Sequence, residues 1–331
     1  MYNIIEVANT HGGNFEYLSS LIDEFSEFDT GFGIKFQAFK YDQIATKDFE
    51  WYPVYEKLFF NKTQWETVIN KAVQTKDVWL DIFDLYGVDI LKKNIVSITG
   101  IKLQASVLYN YTVLEALSRI DLTDLKLIIN IASFEIDEIR SIIKRIEQQL
   151  NIGELLIELG FQAYPTELSD AGISKIKILR NSFSNRLVFA DHADGKSLHA
   201  TMLPILASVL KVDVIEKHVM HSSLPTEYDF YSSIKVAKYR EFISYQKEYL
   251  TLNEAKFVTP KEIEYLEKSI QTPLLKKDRQ KGDKLNLADF DYKRSDKNGL
   301  NAKEIDELIA QNVVFVSNVK AGNGINKDML K

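Results

Sequence analysis

Residues 186 to 218 read RLVFADHADGKSLHATMLPILASVLKVDVIEKH. Two short apolar runs, 187–190 and 212–215, each lead straight into charged and imidazole side chains. Asp191-His192 follows the first, and Glu216-Lys217-His218 closes the second. Between them, 198–210 repeats its apolar residues with a helical period. The pattern is strand–helix–strand, with a histidine delivered at the same end of both strands. Neighbouring strands of a parallel sheet lie about 5 Å apart. His192 and His218 can therefore share a divalent metal, because imidazole nitrogen is a common ligand for borderline cations. The plainer alternative is two satisfied core histidines. Acids at Asp191 and Glu216, just before each imidazole, favour the metal.

Outward from this unit, strand-like runs recur at 3–7, 33–37, 78–83, 97–103, 127–131 and 155–159, making eight with 187–190 and 212–216. Helical segments fall between most of them, at 15–28, 63–74, 112–119, 134–150 and 198–210, with a weaker one at 173–179 and a closing one at 232–250. Ile136, Ile139, Ile142, Ile143 and Ile146 form a 3.6-period stripe with charges opposite. Alternating strand and helix gives an α/β fold with a parallel sheet. Eight repeats in roughly 250 residues favour a closed (β/α)8 TIM barrel over an open doubly wound sheet.

In such a barrel every strand's C-terminal end faces one mouth. Those ends carry Glu6 and His11, Lys35 and Gln37, Asp81 and Phe83, Lys102, Asn130, Gln162 and Tyr164, His192, and His218. Burying an unpaired charge costs several kcal/mol, so repeated charged strand ends point to a site. Lys35 and Lys102 stand where a phosphate or carboxylate is held, or else pair with an acid such as Glu6. The Thr10-His11-Gly12-Gly13 piece either lets a ligand approach the backbone or simply turns the chain.

The chain has 331 residues, 45% of them hydrophobic and 27% charged, as in an ordinary soluble protein of one large domain, or one large and one small. It has no cysteine, which removes thiolate chemistry and suits a reducing, cytoplasmic setting. The first residues lack the basic start and long apolar run of a signal peptide, and nothing reaches the roughly 20 apolar residues of a membrane span. A net charge of −6 supplies no basic field for nucleic acid. The run LLKKDRQKGDK at 274–284 reads as a solvated linker face. Phosphate loops and serine-hydrolase elbows are absent from the sequence. The expected division is a catalytic barrel over 1–255, a linker over 256–272 and a small β-rich domain over 273–331. In that domain 290–293 and 313–316 read as strands and 302–311 as a helix. About 60 residues make only a marginal core, so this domain is expected to dock on something.

With these residues in view, the sequence resembles the sialic acid synthase family, which spans N-acetylneuraminate, pseudaminate, legionaminate and spore-coat polysaccharide synthases. The resemblance runs through EVANTHGG (Glu6), GIKFQAFK (Lys35, Gln37), IKLQASVLYNY (Lys102), FQAYPTE (Tyr164), ADHADG (His192), VIEKH (His218) and EYDF (Asp229). DYKRSDKNGL (Arg294) and VKAGNGINKDML resemble the family's C-terminal antifreeze-like (SAF) domain. The resemblance implies condensation of phosphoenolpyruvate with the aldehyde of an N-acetylated amino sugar, giving a nine-carbon 2-keto-3-deoxy acid and phosphate. It implies a divalent metal, Mn2+ or Mg2+, on His192 and His218. Catalytic roles fall to Glu6, Lys35, Lys102, Tyr164, His192 and His218, with Gln37, Phe83, Asn130, Gln162, Asp229 and Arg294 binding substrate. A domain-swapped homodimer would bring Arg294 to the partner's barrel. The sequence departs from the family's usual Ser or Thr at Asp81, Ala105, Asn130 and Ala190, from a usual Glu at Val107, and from Arg-Pro-Gly at Arg294-Ser295-Asp296.

Overall fold

A computed structural model describes residues 1–161, 163, 165–254 and 256–331. The expected Gln162 and Tyr164 lie outside the described residues. The chain divides into two compact units, Met1–Glu254 and Ala255–Lys331.

The first unit is a closed barrel of eight parallel strands in sequence order. They are β1 (Tyr2–Glu6), β2 (Phe32–Ala38), β3 (Asp77–Ile82), β4 (Ile98–Leu103), β5 (Leu122–Asn130), β6 (Ile152–Leu159), β7 (Leu187–Asp191) and β8 (Val214–His218). Its α-helices are α1 (Phe15–Glu24), α2 (Tyr41–Ile44), α3 (Tyr52–Leu58), α4 (Lys62–Ala72), α5 (Leu85–Lys93), α6 (Tyr111–Ser118), α7 (Ile136–Gln149), α8 (Lys175–Ser182), α9 (His199–Val209) and α10 (Val236–Leu250). The barrel is the one the spacing predicts, with two additions. Helix α5 was not anticipated, and α2 and α3 lengthen the excursion between β2 and β3.

Side chains alternate across each strand. Outward residues such as Ile5, Ile34, Leu80, Ile101 and Ile129 join the helices in one continuous core. Inward, Ile4, Trp79, Ile128, Leu156, Val188 and Val214 form a separate apolar plug. Trp79 sets its geometry: a Cβ on Gly100 would lie 2.3 Å from Trp79 Cζ3, and one on Gly33 2.8 Å from Trp79 Nε1. The two glycines on the flanking strands make room for the indole, whose Nε1–H donates to the Tyr2 hydroxyl at 3.0 Å.

The second unit contains α11 (Pro260–Ser269), an antiparallel pair β9 (Thr272–Leu275) and β10 (Phe290–Lys293), and α12 (Ala302–Ala310). The expected linker thus carries a helix, opened by a Thr259/Glu262 capping box with proline at the first turn. Within the basic 274–284 run, Leu275 is buried with Leu285, Phe290, Leu300, Ile305, Phe315, Val319 and Ile325 in a small core of its own. The strand expected at 313–316 is reduced to isolated bridges, Lys284 with Val314 and Phe315 with Leu330.

Candidate active site

The inward position two residues beyond the apolar plug turns polar on every strand but β7. In chain order these positions hold Glu6, Lys35, Asp81, Lys102, Asn130, Glu158, Ala190 and Glu216. All are buried. Lys35 Nζ lies 2.8 Å from Glu6, 2.7 Å from Glu216 and 3.7 Å from Asp81. Lys102 Nζ lies 2.7 Å from Glu158 and 2.8 Å from the other oxygen of Glu216. Glu216 therefore bridges the two ammonium groups.

The acid–lysine pairing that Lys35 and Lys102 left open is the one realised, and it draws in four carboxylates for two ammonium groups. Asp81, which a neighbouring cation must offset, has Lys35 as its partner, and Gln104 Nε2–H donates to it at 2.7 Å. Burial opposes ionisation of Glu216, but Lys102 and Lys35 together outweigh burial and hold it well below the usual carboxylate range. Burial pushes Glu6 up to about 8 and Glu158 up to about 7, with the charge of Glu216 adding to both. Asp81 also moves up on burial. Both lysines move up as well, since neighbouring carboxylates outweigh burial. Protons held by Glu6 and Glu158 bring the cluster towards charge balance.

One step further along the mouth stand the two imidazoles. Their ring centroids lie 4.7 Å apart with 53° between the planes. Burial lowers His192 to about 3, assisted by Lys102, and puts His218 well below the usual range, assisted by His192. Both rings are therefore neutral at pH 7, the form that binds metal. Among the described residues no group of three His, Cys, Asp or Glu side chains is placed to hold a cation. The histidine pair fits an open two-nitrogen site, whose other positions water or substrate oxygen must fill.

The remaining expected residues that the structure describes make contacts of other kinds. Asn130 turns its amide inward: Nδ2 donates to Glu158 at 2.8 Å, and Oδ1 accepts from Ala132 N–H at 3.0 Å. Gln37 and Asp229 are joined by Asn9, whose backbone N–H donates to Asp229 at 2.8 Å and whose amide donates to Gln37 at 3.1 Å. Half-buried Phe83 packs edge-on to Phe39. His11 does not belong to the site. It is buried, lies 4.8 Å from the Phe60 ring, and accepts from Gly13 N–H at 3.0 Å. A Cβ on Gly13 would fall 2.0 Å from the Lys57 carbonyl, so that glycine serves a packed turn. Exposed Arg294 belongs to the second unit and donates to the Ser269 carbonyl at 3.2 Å. Two members were missed in the sequence, Glu158 and Asn9. Glu158 interrupts the apolar run LLIEL one residue before its end, much as Glu216 ends VDVIE, and that charge is the signal for it.

The profile of the NeuB family matches residues 30–255. The chain belongs to the NeuB family. Among solved structures, this NeuB-family chain resembles spore coat polysaccharide biosynthesis protein E of Chromobacterium violaceum, at 20% identity and TM-score 0.80, over 100% of this chain and 99% of that one. It also resembles the N-acetylneuraminic acid (sialic acid) synthetase of Leptospira borgpetersenii, at 20% identity and TM-score 0.69, over 81% and 92% of the two chains. A more distant likeness is 3-deoxy-D-arabino-heptulosonate 7-phosphate synthase of Thermotoga maritima, at 15% identity and TM-score 0.58, over 77% and 88%. An uncharacterized protein of Methanocaldococcus jannaschii is 22% identical, over 88% of this chain and 84% of its own length. No helix among the described residues is long and apolar enough to cross a membrane.

Proposed function

We propose that the barrel joins a three-carbon acid to the aldehyde of an N-acetylated amino sugar, with phosphoenolpyruvate as the donor that family membership implies. C3 of the donor bonds to the aldehyde carbon, water adds at C2, and phosphate leaves with C–O cleavage to give a nine-carbon 2-keto-3-deoxy acid. The observation that carries this reading is the pair of neutral imidazoles, 4.7 Å apart at the C-terminal ends of adjacent barrel strands. His192 and His218 would hold the divalent ion, Mn2+ or Mg2+, which when bound polarises the aldehyde as a Lewis acid. Glu6, close to neutral pH in its proton affinity, is suited to give or take a proton at the mouth. Lys35 and Lys102, which pair with carboxylates in the structure, would exchange those partners for the donor's carboxylate and phosphate. Gln37 and Asp229, linked through Asn9, would meet the sugar hydroxyls, and Phe83 keeps the substrate-binding role that the family resemblance gives it. Tyr164 keeps the catalytic role, and Gln162 the substrate-binding role, that the family resemblance gives them. Arg294 would cap the sugar from a partner chain in a domain-swapped homodimer, with 273–331 acting as an antifreeze-like domain in the cytoplasm.

The test is phosphate release with phosphoenolpyruvate and either N-acetylmannosamine or a 2,4-diacetamido-trideoxyhexose, with the product weighed by mass spectrometry. Release that needs both substrates and stops with chelator supports the proposal. No release with any such sugar contradicts it.

A second reading rests on the charge count. Four carboxylates occupy the two lysines, and the Asn130 and Gln104 amides are turned onto Glu158 and Asp81. A donor with less charge than phosphoenolpyruvate suits that cluster better. Pyruvate would lose a C3 proton to a carboxylate and add to the aldehyde as a simple aldol, without phosphate. Calorimetry separates the two: millimolar or tighter phosphoenolpyruvate binding excludes the second reading. A non-catalytic sugar-binding role would require His192→Ala to leave metal content unchanged.

A further inference from the structure

We infer that the buried Asp191–Lys217 ion pair is a positioning device that aims His192 and His218 at one another; the inference rests on the histidine reading above. Asp191 and Lys217 are register partners across β7 and β8. Each immediately precedes one of the two histidines. By strand alternation the pair points outward, away from the barrel lumen, while the imidazoles point inward. Lys217 Nζ lies 2.5 Å from Asp191 Oδ2, and both side chains are at most 1% exposed. The second carboxylate oxygen accepts from Ala193 N–H at 3.1 Å, which ties the acid to the backbone on the far side of His192.

The backbone of both histidines is held in the same neighbourhood. The His192 carbonyl accepts from Thr166 N–H at 2.9 Å and from the Ser232 hydroxyl at 2.7 Å. The His218 carbonyl accepts from Ile234 N–H at 3.0 Å. Every other outward position on β7 and β8 is apolar where it meets the helices: Leu187 and Phe189 on one strand, Ile215 on the other. An ion pair is a poor choice for stability there, since a well-packed apolar pair of similar volume is commonly as stable or more so. What it supplies is register. A one-residue slip between β7 and β8 would send one imidazole to the outside of the barrel, and such a slip would also separate the carboxylate from the ammonium. Asp191 and Lys217 act through the histidines and touch no substrate.

The test uses the full chain carrying Asp191→Leu and Lys217→Met together, with Asp191→Asn as a conservative single variant. The five histidines are labelled, and the ring-to-ring nuclear Overhauser contact between His192 and His218 is read without metal. Mn2+ affinity is read in parallel, with the melting temperature as the control for folding. The parent shows the ring contact. The double variant melts within a few degrees of the parent, loses the contact, and binds Mn2+ at least about 10-fold more weakly, the scale of a group that orients a ligand. Asp191→Asn, which keeps a hydrogen-bonding oxygen for Lys217, retains part of both. A double variant with the ring contact and Mn2+ affinity intact overturns the inference, as does loss of both only where the melting temperature collapses. A parent with the ring contact and no Mn2+ binding sinks the metal reading and leaves the ring contact to decide the positioning claim; a parent without the contact sinks both.

Discussion

Two adjacent layers inside the barrel use the same eight strands, separated by two residues, and have opposite chemistry. The lower layer is Ile4, Gly33, Trp79, Gly100, Ile128, Leu156, Val188 and Val214; the upper is Glu6, Lys35, Asp81, Lys102, Asn130, Glu158, Ala190 and Glu216. Burial is nearly complete in both. The lower layer gains free energy by filling space, whereas the upper one spends it by dehydrating six ionisable groups and recovers it only through short ion pairs. A fold that needed only stability would continue the lower layer upward. The contrast separates the part of the lumen that holds the barrel closed from the part kept for chemistry.

The largest expected effect falls just above the upper layer. His192→Ala and His218→Ala should each lower condensation activity by more than about 100-fold, beyond the usual loss from an outer-shell residue, and leave the melting temperature almost unmoved. A large melting shift with activity kept would make the imidazoles structural and erase the contrast. Next come the layers themselves. Glu216→Leu strips both lysines of their shared acceptor and should cost about 3–5 kcal/mol in denaturant unfolding. Trp79→Ala should cost a similar 3–5 kcal/mol through the cavity it leaves, with Mn2+ affinity preserved. A Glu216→Leu variant as stable as the parent would mean that the upper layer is not an interdependent ion cluster.

Smaller and more diagnostic is the pH profile of stability. Glu6 and Glu158 have raised proton affinities in the folded state, so their contribution is complete below about 4.5 and is lost as pH rises towards about 8. His192 is lowered to about 3 and His218 well below its usual range, so their contribution is complete above about 6.5 and is lost as pH falls below it. Between about 4.5 and 6.5 the two slopes oppose each other. Unfolding free energy should therefore be flattest there, falling on the alkaline side from the carboxylates and on the acid side from the imidazoles. Glu158→Gln should flatten the alkaline fall. Above about pH 7, where Glu158 is ionised, the same variant removes a charge beside Lys102 and should tighten phosphoenolpyruvate binding several-fold by calorimetry; unchanged affinity there would remove Glu158 from donor selection.

The fold was legible because each strand is a short apolar run of alternating role, and the closing unit quoted first carries both strand ends in plain view. Helix α5 escaped because its nine residues contain a glycine and follow β3 with only Phe83 and the cap Asp84 between. At the site, the two histidines, both lysines and Glu6 could be read because a charged end on an apolar strand has no packing rationale. Their partners could not: that Glu216 spans both lysines depends on strand stagger, which brings side chains 114 and 181 residues apart in sequence to one carboxylate. Glu158 hid behind Gln162 and Tyr164, which compete for the end of the same strand. His11 misled because a strand-end imidazole looks alike whether it faces a ligand or a phenyl ring.

The most direct test of the central claim is a Mn2+ titration of the parent chain, followed by loss of the free-ion paramagnetic resonance signal. One tightly held ion per chain, lost in both His192→Ala and His218→Ala, is the predicted result. Binding that survives either substitution, or none in the parent, would contradict a cation shared between the ends of β7 and β8.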